Sequence, residues 1–95
     1  MGETTNTNNH RASDRIRVEL IEADVDMAFG LVDDALEEFH DGNADYARAA
    51  LSDAEKVLTD IAARLENISA ADSAPFGPLV SELRKSIHAA EAECA

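Results

Sequence analysis

Glu37-Glu38-Phe39-His40 contains the spacing Glu-x-x-His, which on a helix sets a carboxylate and an imidazole one turn apart on one face. In carboxylate-bridged di-metal bundles two such pairs, with a further Glu from each of two other helices, surround the ions. This chain has no second Glu-x-x-His. His40 also falls at the end of its segment, where the negative end of the helix dipole favours an imidazolium, so it is read as a dipole complement. His88 and Glu91 are likewise one turn apart. A single pair supplies too few ligands for a metal, and these two are read as side chains of a solvated flank. No Ser, Thr or Cys stands at a usable spacing from a base, and there is no Gly-rich phosphate loop and no Cys/His cluster. The expectation is no catalytic residue, no cofactor and no metal ligand. A catalytic or metal role inside a helical bundle would need polar residues on the packing seams, and those seams are almost wholly apolar. The chain is therefore read as non-enzymatic.

Composition narrows the partners. Twenty acidic residues against eight basic ones give a formal net charge of −12. Such a surface repels nucleic acid and anionic membrane as direct partners. It suits a cationic partner, or a very salty cytoplasm of the kind halophiles keep; only Lys56 and Lys85 are lysines. Ninety-five residues make one domain with a modest core. Aromatic content is 4% and Trp is absent, so Leu, Ile, Val and Ala must do the packing. The single cysteine, Cys94, cannot close an internal disulfide and reads as a small apolar residue on a last helical turn. No apolar run is long enough to span a bilayer and no signal-peptide pattern stands at the start, so the expected location is cytoplasmic.

The elements that carry these residues follow from apolar periodicity. Residues 1–12 are polar and aperiodic and read as a disordered tail. A first helix over about 13–41 starts at Ser13 as N-cap, with the seam Val18, Ile21, Val25, Ala28, Val32, Ala35 and Phe39. A second stripe, Ile16, Leu20, Met27 and Leu31, makes the apolar face wide enough for more than one neighbour. Gly30 in mid-helix is either a point of close helix approach, a bend or a tolerated weak point. Asp41-Gly42-Asn43 is the hairpin tip: Gly42 ends one helix in the left-handed conformation, and Asn43 N-caps the next with Asp45 in its first turn. The second helix, about 44–68, has the seam Ala47, Leu51, Ala54, Leu58, Ile61, Leu65 and Ile68, and Ala50 and Val57 widen it. Pro75 and Gly77-Pro78 mark a linker over 69–77, in which Phe76 is expected to plug the open end of the bundle. A third helix, about 78–93, carries Val80, Leu83, Ile87 and Ala90, with Cys94 next in register.

Leu31, Ala35, Gly42, Ala47, Leu51 and Ala54 match the spacing of small and large positions in a tetratricopeptide-type hairpin, which this stretch resembles over about a quarter of the chain. The pattern departs at Glu38, where that family prefers an aromatic, and at Thr59, where it prefers Pro. The long helices and the three-helix layout look more like the microtubule-interacting-and-transport domains, whose second helix also follows a Gly-Asn turn. These families are interaction modules that bind peptides or helices in interhelical grooves, and the resemblance implies such a role here.

The fold expected is therefore an all-α, antiparallel three-helix bundle built on a long helical hairpin. Its expected role is that of an interaction or assembly module; the alternative is a small regulatory or ligand-binding helical protein. The helix lengths place the expected interface. A third helix of about 16 residues, roughly 24 Å, is shorter than a hairpin of roughly 40 Å. If it covers the half nearest the chain break, around Ile16–Met27 and Leu58–Ile68, the tip stays bare. Leu31, Leu36, Phe39, Tyr46 and Leu51 then form an apolar patch that a second copy, or another helical protein, would cover as a homodimer or heterodimer. The crowded acidic faces yield a first prediction. Added KCl screens their mutual repulsion, so the midpoint of thermal unfolding should rise from low to molar salt; a flat or falling midpoint would refute it.

Overall fold

The structure, a computed structural model, describes residues 2–95, with side chains from residue 14 onward. The described residues form four helices and no strand: α1 (Gly2–His40), α2 (Ala44–Leu65), α3 (Ala70–Ser73) and α4 (Phe76–Glu93). The tail expected over 1–12 and the N-cap expected at Ser13 fall outside the described side chains; the backbone of α1 is helical from Gly2.

α1 and α2 pack closely along their seams. Ile21, Val25, Ala28, Val32 and Ala35 of α1 are buried with Ala47, Ala50, Leu51, Ala54 and Ile61 of α2. Val18, Phe39, Leu58 and Leu65 flank them, half-buried. Five of these ten buried residues are Ala, and small side chains let two helix axes come close without a large core.

The tip depends on its backbone. Gly42 has φ +92°, the left-handed region. The Asn43 N–H donates to the Glu38 carbonyl at 2.8 Å and the Gly42 N–H to that of Phe39 at 3.1 Å. These two bonds, both donated by the turn, satisfy carbonyls that the end of α1 would leave open. Asn43 does not cap α2 with its side chain, contrary to expectation. Its amide Nδ2 donates instead to Glu38 Oε2 at 2.5 Å, because the turn folds Asn43 back over the last turn of α1.

The linker differs from the expected one. α2 stops at Leu65, not Ile68. Asn67 turns back there: its backbone N–H donates to the Arg64 carbonyl and its Nδ2 to that of Ala63. Ser69 then caps α3, its Oγ accepting from the Asp72 N–H at 3.1 Å. α4 begins at Phe76, so Pro78 sits inside its first turn, where no helical N–H is needed. Phe76 is buried, level with Val25 and Phe29, and so does not plug the end of the molecule. α4 buries Phe76, Leu83, Ile87 and Ala90 together with Cys94 against both long helices, less extensively than those pack on each other.

Two glycines separate the backbone roles. A Cβ built on Gly30 meets nothing within 4 Å, so this residue serves no close approach. Gly30→Ala should stabilise the fold by about 0.5–1 kcal/mol through helix propensity. Gly42→Ala forces a Cβ into the left-handed region and should cost about 1 kcal/mol or more. Urea denaturation of both variants checks the opposite signs.

Candidate functional site

The position of α4 along the hairpin decides which surfaces remain free. At its start, Phe76 and Leu79 share a shallow depression with Glu22, Val25, Asp26 and Phe29 of α1. At its end, His40 Nε2 lies 3.1 Å from Glu93 Oε1. α4 thus runs parallel to α1 from mid-hairpin to the tip. Contrary to the placement expected from the helix lengths, α4 covers the half of the hairpin that was expected to be bare. The reason lies in the linker. Asp72 of α3 lies beside Asp14, Val18 and Glu22, so the linker occupies the near half and carries the chain along α1 before α4 starts.

The five residues expected at a tip interface are consequently dispersed. Leu51 is 3% exposed, beside Cys94. Leu31, Leu36 and Phe39 are half-buried against the core. Only Tyr46 is well exposed, at 56%. By helical period Leu36 lies on the Val25–Phe29–His40 side that α4 covers, whereas Leu31 lies on the opposite flank.

The exposed apolar residues gather elsewhere. Ile16 (56% exposed), Leu20 (46%) and Met27 (54%) stand on α1. Arg17, Leu20, Asp24, Met27, Leu31, Asp34 and Glu38 follow spacings of three and four and so share one row. Arg64 Nε reaches across from α2 to Asp24 Oδ2 at 3.4 Å, which shows that this row borders α2. On α2, Tyr46, Asp53, Val57, Asp60 and Arg64 share the bordering face by the same spacing. The second stripe read from the sequence is therefore real, but neither α3 nor α4 covers it. Arg17 marks its base end, where Nη1 donates to the Asn67 carbonyl at 3.2 Å. Glu38, bound to Asn43, marks the tip end.

A polar cluster lies on the other flank. Among the described residues one group of metal-ligating type comes together: Glu55 of α2 with His88 and Glu91 of α4, whose ligand atoms all lie within 4.8 Å of one another. The His88–Glu91 half was legible as a one-turn spacing. Glu55 was missed, because its nearness depends on how α4 sits against α2. His40 meets Glu93 rather than a second ligand pair. Among the described residues no helix is long and apolar enough to cross a membrane. Comparison with protein-family models, curated proteins and solved structures finds no match to this chain.

Truncation separates the buried and exposed members of the expected patch. Leu51→Ala should cost about 2–5 kcal/mol by opening a core cavity, while Tyr46→Ala should change stability by about 0.5 kcal/mol or less. Chemical denaturation of the two variants checks the difference.

Proposed function

We propose that this chain is a non-enzymatic, cytoplasmic interaction module, a three-helix bundle that associates with a second copy of itself through the row Ile16–Leu20–Met27. The observation carrying this reading is the solvent exposure of that row beside α2. Isolated exposed apolar residues are ordinary, but three at helical spacing over about 17 Å form a seam of the kind that helices bury. Tyr46, on the bordering face of α2, extends the surface toward the tip.

Charge along the row supports a second copy as the occupant. Arg17 and Arg64 stand toward its base end, shared within the chain with Asp14 and Asp24, and Asp34 and Glu38 stand toward its tip end. A two-fold antiparallel pairing of the same face brings the arginines of each copy toward Asp34 and Glu38 of the other, a self-complementary arrangement of the kind a dimer interface requires. This relocates the association from the tip, since α4 reaches the tip itself. The interaction role implied by the resemblance to tetratricopeptide-like and microtubule-interacting-and-transport-like hairpins agrees with association through this face.

Light scattering at tens of micromolar tests this reading. The wild type should show the mass of a dimer, and Leu20→Glu with Met27→Glu should give a monomer whose circular dichroism is unchanged. Phe39→Glu, at the tip, should leave the mass of the dimer intact if it folds. A monomeric wild type, or a dimer indifferent to the Leu20 and Met27 changes, would refute the interface.

A further inference from the structure

We propose that Glu55, His88 and Glu91 form a binding site for one divalent first-row transition-metal ion, clipping α4 to α2. The inference is independent of the self-association proposed above and uses the opposite flank of the hairpin.

The geometry is nearly that of a coordinated set. Ligands on adjacent positions of an ion, each at about 2.0–2.2 Å, lie roughly 3–3.5 Å apart. The Glu55, His88 and Glu91 ligand atoms are already within 4.8 Å of one another. Small side-chain rotations close the remainder, and all three sit at the surface, where such rotations meet little resistance. His88 and Glu91 are held one turn apart by α4, so the pair is set by the helix, and only Glu55 comes from another element. Burial of Leu83, Ile87 and Ala90 on one side of α4, and of Leu51 and Ala54 on α2, fixes the two helices relative to each other.

The electrostatics point the same way. Ion pairs elsewhere use Asp14, Asp24, Asp45 and Asp53, with Glu93 against His40. Among the described residues neither Glu55 nor Glu91 has an Arg or Lys within ion-pair distance. Arg48, which lines the same depression, is engaged with Asp45 at 3.5 Å. Two carboxylates thus lie close together on a chain of formal charge −12, with the exposed His88 imidazole beside them. A divalent cation removes that repulsion.

Donor chemistry selects the class of ion. Calcium and magnesium take all-oxygen sets, with calcium needing six or more ligands and magnesium keeping most of its water. One imidazole with two carboxylates is a borderline N/O set that suits Zn²⁺, and Co²⁺ or Ni²⁺ in its place. Three protein ligands leave a coordination position to water or to a ligand. Beside the cluster lies a shallow cavity of about 290 Å³ lined by Arg48, Leu51, Ser52, Glu55, Glu91 and Cys94, with Ala95 at its rim.

Titration calorimetry with ZnCl₂, after chelator treatment, tests the site on the full chain. One ion per chain should bind, and His88→Ala and Glu55→Gln should each weaken binding tenfold or more, while His40→Ala should not. At a Zn²⁺ concentration a hundredfold above the dissociation constant, thermal unfolding should shift upward by about 10 °C or more, reversed by EDTA. Mg²⁺ at the same concentration should give no comparable shift. Absence of Zn²⁺ binding, several equivalent ions per chain, or binding unchanged in His88→Ala would overturn the proposal. All three substituted side chains are at the surface, and unchanged circular dichroism of each variant separates loss of binding from loss of fold.

Discussion

The close approach of α1 and α2 through a run of buried alanines is the contact on which the rest of the molecule depends. Ala28 and Ala35 on one helix and Ala47, Ala50 and Ala54 on the other bring the two backbones together with little side-chain volume between them. A three-residue connection leaves no freedom of register, so each seam residue meets a predetermined partner. Gly42 makes that connection possible, because a residue with a Cβ reaches its backbone conformation only at a cost. A chain with few aromatics thereby gains a continuous contact, at the expense of long helices that no single small neighbour can cover.

That imbalance of length governs the surface. α4 has 18 residues, about 27 Å, and runs alongside α1 from the level of Val25 to His40. The linker, with α3 within it, takes up the base end on the same flank, where Asp72 stands near Val18. One flank of the hairpin is thus clad along its length by α3 and α4, and the other is not. The uncovered flank retains Leu20 and Met27 beside the Arg64–Asp24 ion pair. An ion pair with Asp24 partly shielded and Arg64 about half exposed adds little stability, but it defines the border between the two helices there.

Charge is distributed by the same architecture. No polar or charged side chain is buried among the described residues, so the acid excess lies on the outer faces. Most of the ion pairs join neighbours one turn apart on a single helix, as Arg48 with Asp45 and Lys56 with Asp53 do. Such pairs are worth a few tenths of a kcal/mol each. Other groups meet across helices among the described residues: Arg64 with Asp24, His40 with Glu93, and the trio of Glu55, His88 and Glu91. Each depends on helix placement: Arg64 and Asp24, His40 and Glu93, and Glu55 and His88 are far apart in the chain, and only His88 and Glu91 are neighbours on one helix.

The sequence by itself determined which residues of each helix face inward. Val25, Ala28, Val32 and Ala35, then Ala47, Leu51 and Ala54, then Leu83, Ile87 and Ala90 were legible as seams and are buried. Apolar spacing reports angle around a helix axis, and angle is a local property of 3.6 residues per turn. Gly42 was legible for a similar reason, as a local demand on φ. The tertiary structure alone decided how far α4 slides along the hairpin, which flank it covers, and which side chains meet there. The end of α2 at Leu65 and the short α3 rest on the side chains of Asn67 and Ser69, hydrogen bonds that compete with continued helix and leave no periodic trace. From the placement of α4 follow the exposure of Leu20 and Met27 on the flank it leaves uncovered and the nearness of Glu55 to His88. Periodicity carries no information about axial offset, because sliding one helix past another leaves every residue's angle unchanged.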